Sequence, residues 1–339
     1  MKFNLLARVL TPAALLVALC ACTTGNSVQQ VLGLSAETPV FLSCKAVSSR
    51  AIAFRFSLPV TVASLLFDPP SAVNSIEEGA LVTVTLAEPL VGGEQVIADL
   101  LVEDEAGNTL NVLVPFRSRN EDMPSLLITE IRTEYSKPKV EFVEFKALDA
   151  GNLGGLRMYL AETGPDAPFY EFPPAMVAQG EYIVVHLRNL DGLGVDELGG
   201  NLAASPYTKD NEAQTEARDF WFPEAKKHLT KKAGTVYFLD QDDQVLDALI
   251  WSENPDAWWG DEKLARMAEF LSGKNAWTAS GGGIPGPAEA VSSGYTTTTR
   301  TICRREGAED TNSAGDWYTT AASCATPGKI NNTKVYEPK

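Results

Sequence analysis

Two apolar runs with a polar turn between them, SLLITEIRTEYSKPKVEFVEF over residues 125–145, set the pattern that the larger part of the chain follows. The first run, 126–131, gathers Leu and Ile around Glu130, and the second, 140–145, sets Glu141 and Glu144 among Val and Phe. Branched and aromatic side chains bounded by turn residues predict strands for both. A carboxylate buried inside an apolar strand needs a partner or a proton, so these glutamates either face solvent at a sheet edge or satisfy backbone donors. Glu130, Glu141 and Glu144 are read first as structural groups, and only second as a functional acid set.

Upstream, over 37–119, short strands are predicted at 40–47, 51–56, 81–86, 96–103 and 109–116. Ala51 and Ala53 alternate with Ile52, Phe54 and Phe56, the period of a half-buried strand. Asp104-Glu105-Ala106-Gly107-Asn108 has the composition of a hairpin turn. The polar segment RSRNEDMP at 117–124 marks a domain boundary. Beyond the opening hairpin, strands are predicted at 156–161, 182–187, 235–240 and 245–251, and the last two flank Gln241-Asp242-Asp243-Gln244 as an antiparallel pair. One helix is predicted over 261–271, where Leu264, Met267, Phe270 and Leu271 recur at helical spacing and Gly273 follows as a stop. The expected fold class is all-β, with two sandwich domains in tandem and a short helical insertion in the second.

Composition changes this picture little, since 45% hydrophobic and 21% charged residues are ordinary for folded protein and 339 residues suffice for about two domains. Charge changes it more. A formal charge of −16 repels phosphate backbones, which argues against nucleic acid as a partner. The chain begins MKFNLLARVLTPAALLVALCAC, a positive start followed by a 13-residue apolar run over 9–21, too short to span a bilayer and shaped like a secretory leader. Its end, Leu19-Cys20-Ala21-Cys22, resembles the bacterial lipoprotein lipobox, with Cys20 where Ala or Ser is commoner. That resemblance implies cleavage after 1–21, acylation of Cys22 and a polar tether over 22–36, holding the protein at a membrane by its lipid. Export implies an oxidising compartment, where Cys303 and Cys324 are expected to pair and stabilise by about 3 kcal/mol through closure of a loop of about 20 residues. Cys44 is then left as a small apolar strand residue.

Two family resemblances follow from the order of segments. FRFSLPV, AEPLVGGEQV and DEAGNTL, within 37–119, resemble a bacterial Ig-like domain of the surface-protein type. ITEI, EFVEF, LGGLRMYL, FPPAMVAQGEYIVVHL, AGTVYFLDQDDQVLDALIW and a terminal TPGKIN, spread over 125–333, are similar to the lamin-tail domain family, an Ig-like β fold. The resemblance implies a spacer followed by a lamin-tail-like domain, with 334–339 as a tail. Insertions at 191–230 and 254–299 depart from that pattern.

Candidate chemistry is sparse. No nucleophile elbow, phosphate-binding glycine loop or zinc motif occurs, and His186 and His228 lie 42 residues apart. His186, between Val185 and Leu187, reads as a core or edge histidine. Asp240, Asp242 and Asp243 read as turn residues. Asp310, Asn312 and Gly315 occupy the first, third and sixth positions of a calcium loop, so calcium through Asp310, Asn312 and Asp316 is the one metal candidate, against Ala321 at the twelfth position. Trp258 and Trp259, with Trp251 and Trp277 nearby, form either the small core of an insertion or a platform for glycan or protein. Lys226, Lys227, His228, Lys231 and Lys232 read as a solvated face rather than a site for anionic headgroups. The expectation is a non-catalytic, lipid-anchored protein of the cell envelope, at the outer membrane in a diderm, that binds an envelope or host protein or a glycan and carries no cofactor. The alternative is an envelope hydrolase or its accessory subunit.

Overall fold

The computed structural model describes residues 37–160, 169–223, 226–255 and 258–338. The leader, Cys22 and the tether fall outside them. The chain divides into two compact units, one made of residues up to Pro89 with Val96–Phe116, the other of Leu90–Gln95 with Arg117–Lys339.

The first unit is all strand: β1 (Phe41–Ala46), β2 (Ala51–Asp68), β3 (Val73–Glu77), β4 (Gly79–Leu86), β5 (Gln95–Glu103) and β6 (Thr109–Arg117). The order is β3-β4-β2-β5-β6, with β1 also on β2. The alternation of Ile52, Phe54 and Phe56 buries all three, and Val82, Val84 and Leu86 of β4 and Val96, Ala98, Leu100 and Val102 of β5 are buried with the same period of two. The long strand β2 changes partners along its length. Its first part pairs with β1 and β4, residues 61–68 pair with β5, and the register with β4 breaks between Arg55 and Val60. Pro59, which has no N–H to give a ladder, lies in that break. The β5–β6 turn is the expected hairpin: Asp104 Oδ1 accepts from the amides of Ala106 (2.9 Å) and Asn108 (2.8 Å).

The second unit holds two main sheets. One is six-stranded, β14-β13-β8-β7-β18-β19, from β7 (Leu126–Arg132), β8 (Phe142–Ala147), β13 (Tyr182–His186), β14 (Arg218–Trp221), β18 (Ile302–Arg304) and β19 (Trp317–Thr319). The other is five-stranded, β11-β10-β15-β16-β17, from β10 (Arg157–Leu160), β11 (Phe169–Glu171), β15 (Ala233–Leu239), β16 (Val245–Ser252) and β17 (Val291–Ser292); β9 (Gly151–Asn152) and β12 (Met176–Val177) pair separately. The two main sheets share one apolar core, in which the rings of Phe145 and Phe238 lie 4.7 Å apart. One α-helix is described, α1 (Glu262–Gly273). Asp261 caps it, accepting from Lys263 N at 2.8 Å, and Met267, Ala268 and Leu271 are buried. Gly273 is the last helical turn rather than the stop; Lys274 caps the end and Asn275 takes a left-handed φ of 57°.

A bulge decides which side chains of β7 face the core. The register against β8 shifts between Ile128 and Glu130, so Leu126, Ile128 and Ile131 oppose Ala147, Phe145 and Val143, all in the core. Glu130 and Arg132 then lie on the other face, opposite Glu144 and Phe142.

Candidate functional site: a carboxylate layer beneath a C-terminal strap

The face of the six-stranded sheet turned from the core is polar and still buried. Across it, in register, run Tyr318 on β19, Cys303 on β18, Glu130 on β7, Glu144 on β8 and Val184 on β13. Glu130 and Glu144 are 0% exposed. The segment 326–332 crosses this face as a strap and supplies donors to it. Thr326 donates to Glu130 Oε2 from its amide (3.0 Å) and hydroxyl (3.3 Å), and the Gly328 amide donates to Glu144 Oε2 at 2.5 Å. From below, the hydroxyls of Thr301 and Thr129 donate to Glu130 Oε1 and Glu144 Oε1. Asn331 completes the fastening: its amide donates to Glu306 Oε1 at 2.7 Å, and its Nδ2 to the carbonyls of Thr129 (2.8 Å) and Arg304 (3.1 Å). Gly328 has a φ of +78°, and a Cβ there would meet Ala217 Cβ at 2.9 Å, so the strap needs glycine at that point for conformation and for space.

Burial pushes both carboxyls above the ordinary Glu value, and the charge of Glu130 raises Glu144 further. Two buried carboxyls in register oppose each other's ionisation, as like charges do. Burial, and then the Glu130 charge, also raise the Cys303 thiol well above its usual range, so it is not a nucleophile as packed. The layer is thus a set of internal fasteners. Glu141 is one too, gripped by Arg188 at 2.5 Å (Nε) and 3.0 Å (Nη2), with the guanidinium 4.1 Å from the Tyr135 ring centre.

The other expected site residues separate. Cys303 and Cys324 are both free thiols. The expected disulfide is absent because Cys303 faces the carboxylate layer, its Sγ 3.7 Å from Thr301 Oγ1, while Cys324 lies half-buried in a turn onto Ala321. Asp310 spends Oδ1 on Arg304 (2.7 Å) and the Asn312 amide (3.1 Å), and Asp316 accepts from Thr311 and Ser313. Asn312 Nδ2 donates to the Asn275 carbonyl, and no metal-binding group of His, Cys, Asp or Glu occurs among the described residues. Trp258 is 69% exposed, whereas Trp259 packs on the core and donates to the Pro285 carbonyl at 3.2 Å, which splits the expected platform. Trp251 and Trp277 are buried in the core. His186 lies in β13, 2.9 Å from Asp219 and stacked on Trp221 at 3.9 Å.

Asp247 and Arg304 escaped the sequence reading. Arg304 reaches from β18 to Asp247 on β16 with 2.9 and 2.7 Å bonds, stacks on Trp317 at 4.4 Å and donates to the Ile128 carbonyl, tying the two sheets together. Burial raises Asp247 to about 6 against the pull of Arg304. Neither residue carries a local signal, because each is one charge in an otherwise ordinary strand.

A family model described as the TP_1001 protein second domain matches residues 124–319, more than half of the chain, from two residues before β7 to the end of β19. The chain belongs to this family. The family stretch contains Glu130, Glu141, Glu144 and Cys303; the strap lies beyond it. A protein of Treponema pallidum (strain Nichols), named only as uncharacterized, is 27% identical over 199 residues, covering 57% of this chain and 49% of its own, so the chain spans about half the length of that relative. The N-terminal part of the bacterial S-layer protein SbsC is similar at 16% identity and a TM-score of 0.25, over 53% of this chain and 50% of that one, a likeness that carries no argument about fold or function.

Proposed function

We propose that this member of the TP_1001 second-domain family is an exported lipoprotein, acylated at Cys22, that works in the cell envelope by binding a protein or glycan rather than by catalysis. Its first unit serves as an Ig-like spacer and its second as a lamin-tail-like module. The leader and its Leu19-Cys20-Ala21-Cys22 ending support the anchor. The observation that carries the binding reading is the commitment of Glu130, Glu141 and Glu144 to Thr, Gly and Arg donors inside the fold, which leaves these acids working as fasteners. Detergent-phase partition of the full chain tests the anchor. Wild type is expected in the detergent phase with globomycin-sensitive processing, and Cys22→Ser in the aqueous phase; a Cys22→Ser protein that still partitions with detergent sinks the proposal.

A further inference from the structure

The strap is held by two glutamates that face each other, and this makes its closure depend on their charge. Thr326 fastens it to Glu130 and Gly328 to Glu144, and the two carboxylates are partners in register across β7 and β8. One anchor cannot ionise without acting on the other. We propose that the strap, residues 326–332, is a pH-gated latch over the polar face of the six-stranded sheet, closed while the Glu130–Glu144 pair keeps a proton and loosened as the pair becomes doubly charged.

The surrounding charges fit this assignment. On β7, Arg132 lowers Glu130; its Nη1 donates to Glu212 and to the Val140 carbonyl, while its buried Nε makes no hydrogen bond. Glu306, between β18 and β19, adds a third negative group, which raises Glu144; it also accepts from Tyr182 and from Lys146 at 3.4 Å. Cys303 and Tyr318 from β18 and β19 stay protonated beside Glu130, because burial and its charge raise both. On β13, burial and then Glu306 hold Tyr182 protonated. From the strap itself Lys329 points away, to Glu216 at 3.5 Å. No cation among these neutralises the second charge directly, so deprotonation is resolved by admitting water, which the strap must move to allow. The strap amides of Thr326 and Gly328 favour the charged carboxylates, but burial, the larger cause, raises both, so closure is favoured at acidic pH and that contribution is lost as the pH rises through the closed-state values.

Hydrogen exchange of strap amides in the full chain tests the latch. After correction for intrinsic rates, opening at about pH 9 is expected to exceed that at about pH 5 by on the order of tenfold. Glu144→Gln, which keeps an oxygen for the Gly328 amide and carries no charge, is expected to remove that pH dependence. Glu130→Gln is expected to do the same and serves if the first variant does not fold. A strap equally protected across the range, or a pH dependence that survives in the folded Gln variants, overturns the proposal.

Discussion

Glu130 and Glu144 lie opposite each other with no exposed surface, a placement that is costly for a carboxylate unless it is hydrogen-bonded or protonated. Here each accepts from a threonine hydroxyl of the sheet and from the strap. Gly328 is the residue on which that arrangement turns. Gly328→Ala would place a Cβ against Ala217 at a left-handed φ, and is expected to lower stability by about 1–3 kcal/mol in urea denaturation, with strap amides exposed first. Arg304 answers the same physics between the sheets. Arg304→Ala leaves Asp247 buried without its ion pair and is expected to cost about 3–5 kcal/mol by the same measurement.

Among the elements, α1 follows its sequence most closely: Met267 and Leu271 face the core, Phe270 packs 6.0 Å from the Tyr237 ring, and Asp261 supplies the cap. Asp261→Ala is expected to cost about 1 kcal/mol, seen as faster exchange in the first turn of the helix. The strands were legible where their period ran unbroken. The pair β15–β16 was read directly, and so was the role of Asp240, whose Oδ1 accepts from Asp242 N (2.8 Å) and Gln244 N (2.9 Å). The far half of β2 was missed because Pro59 interrupts the alternation, and β17, β18 and β19 because two or three residues cannot show a period. β14 was missed within the 191–230 insertion, where pairing to β13, parallel and in register at Val184 and Asp219, decides the structure instead of local pattern.

At the scale of the molecule, the all-β class and the helical insertion could be read from the chain, and the awkward acids were visible as acids. What they do was not. The partners of Glu130 lie 171 and 196 positions away, at Thr301 and Thr326, and the strap partner of Glu144 lies 184 away, at Gly328. Only folding brings TPGKIN onto the sheet that begins with ITEI. The same distance explains the failed disulfide, since spacing placed Cys303 and Cys324 on one loop while the bulge in β7 turned the neighbouring face of the sheet into a polar layer that Cys303 joins. The carboxylate layer holds the strap to the sheet. The most direct test is equilibrium urea denaturation of Glu144→Ala beside wild type: removing the carboxyl strands the Gly328 amide and the Thr129 hydroxyl in a cavity, and a loss on the order of 3 kcal/mol is expected. Wild-type stability in that variant would contradict the account.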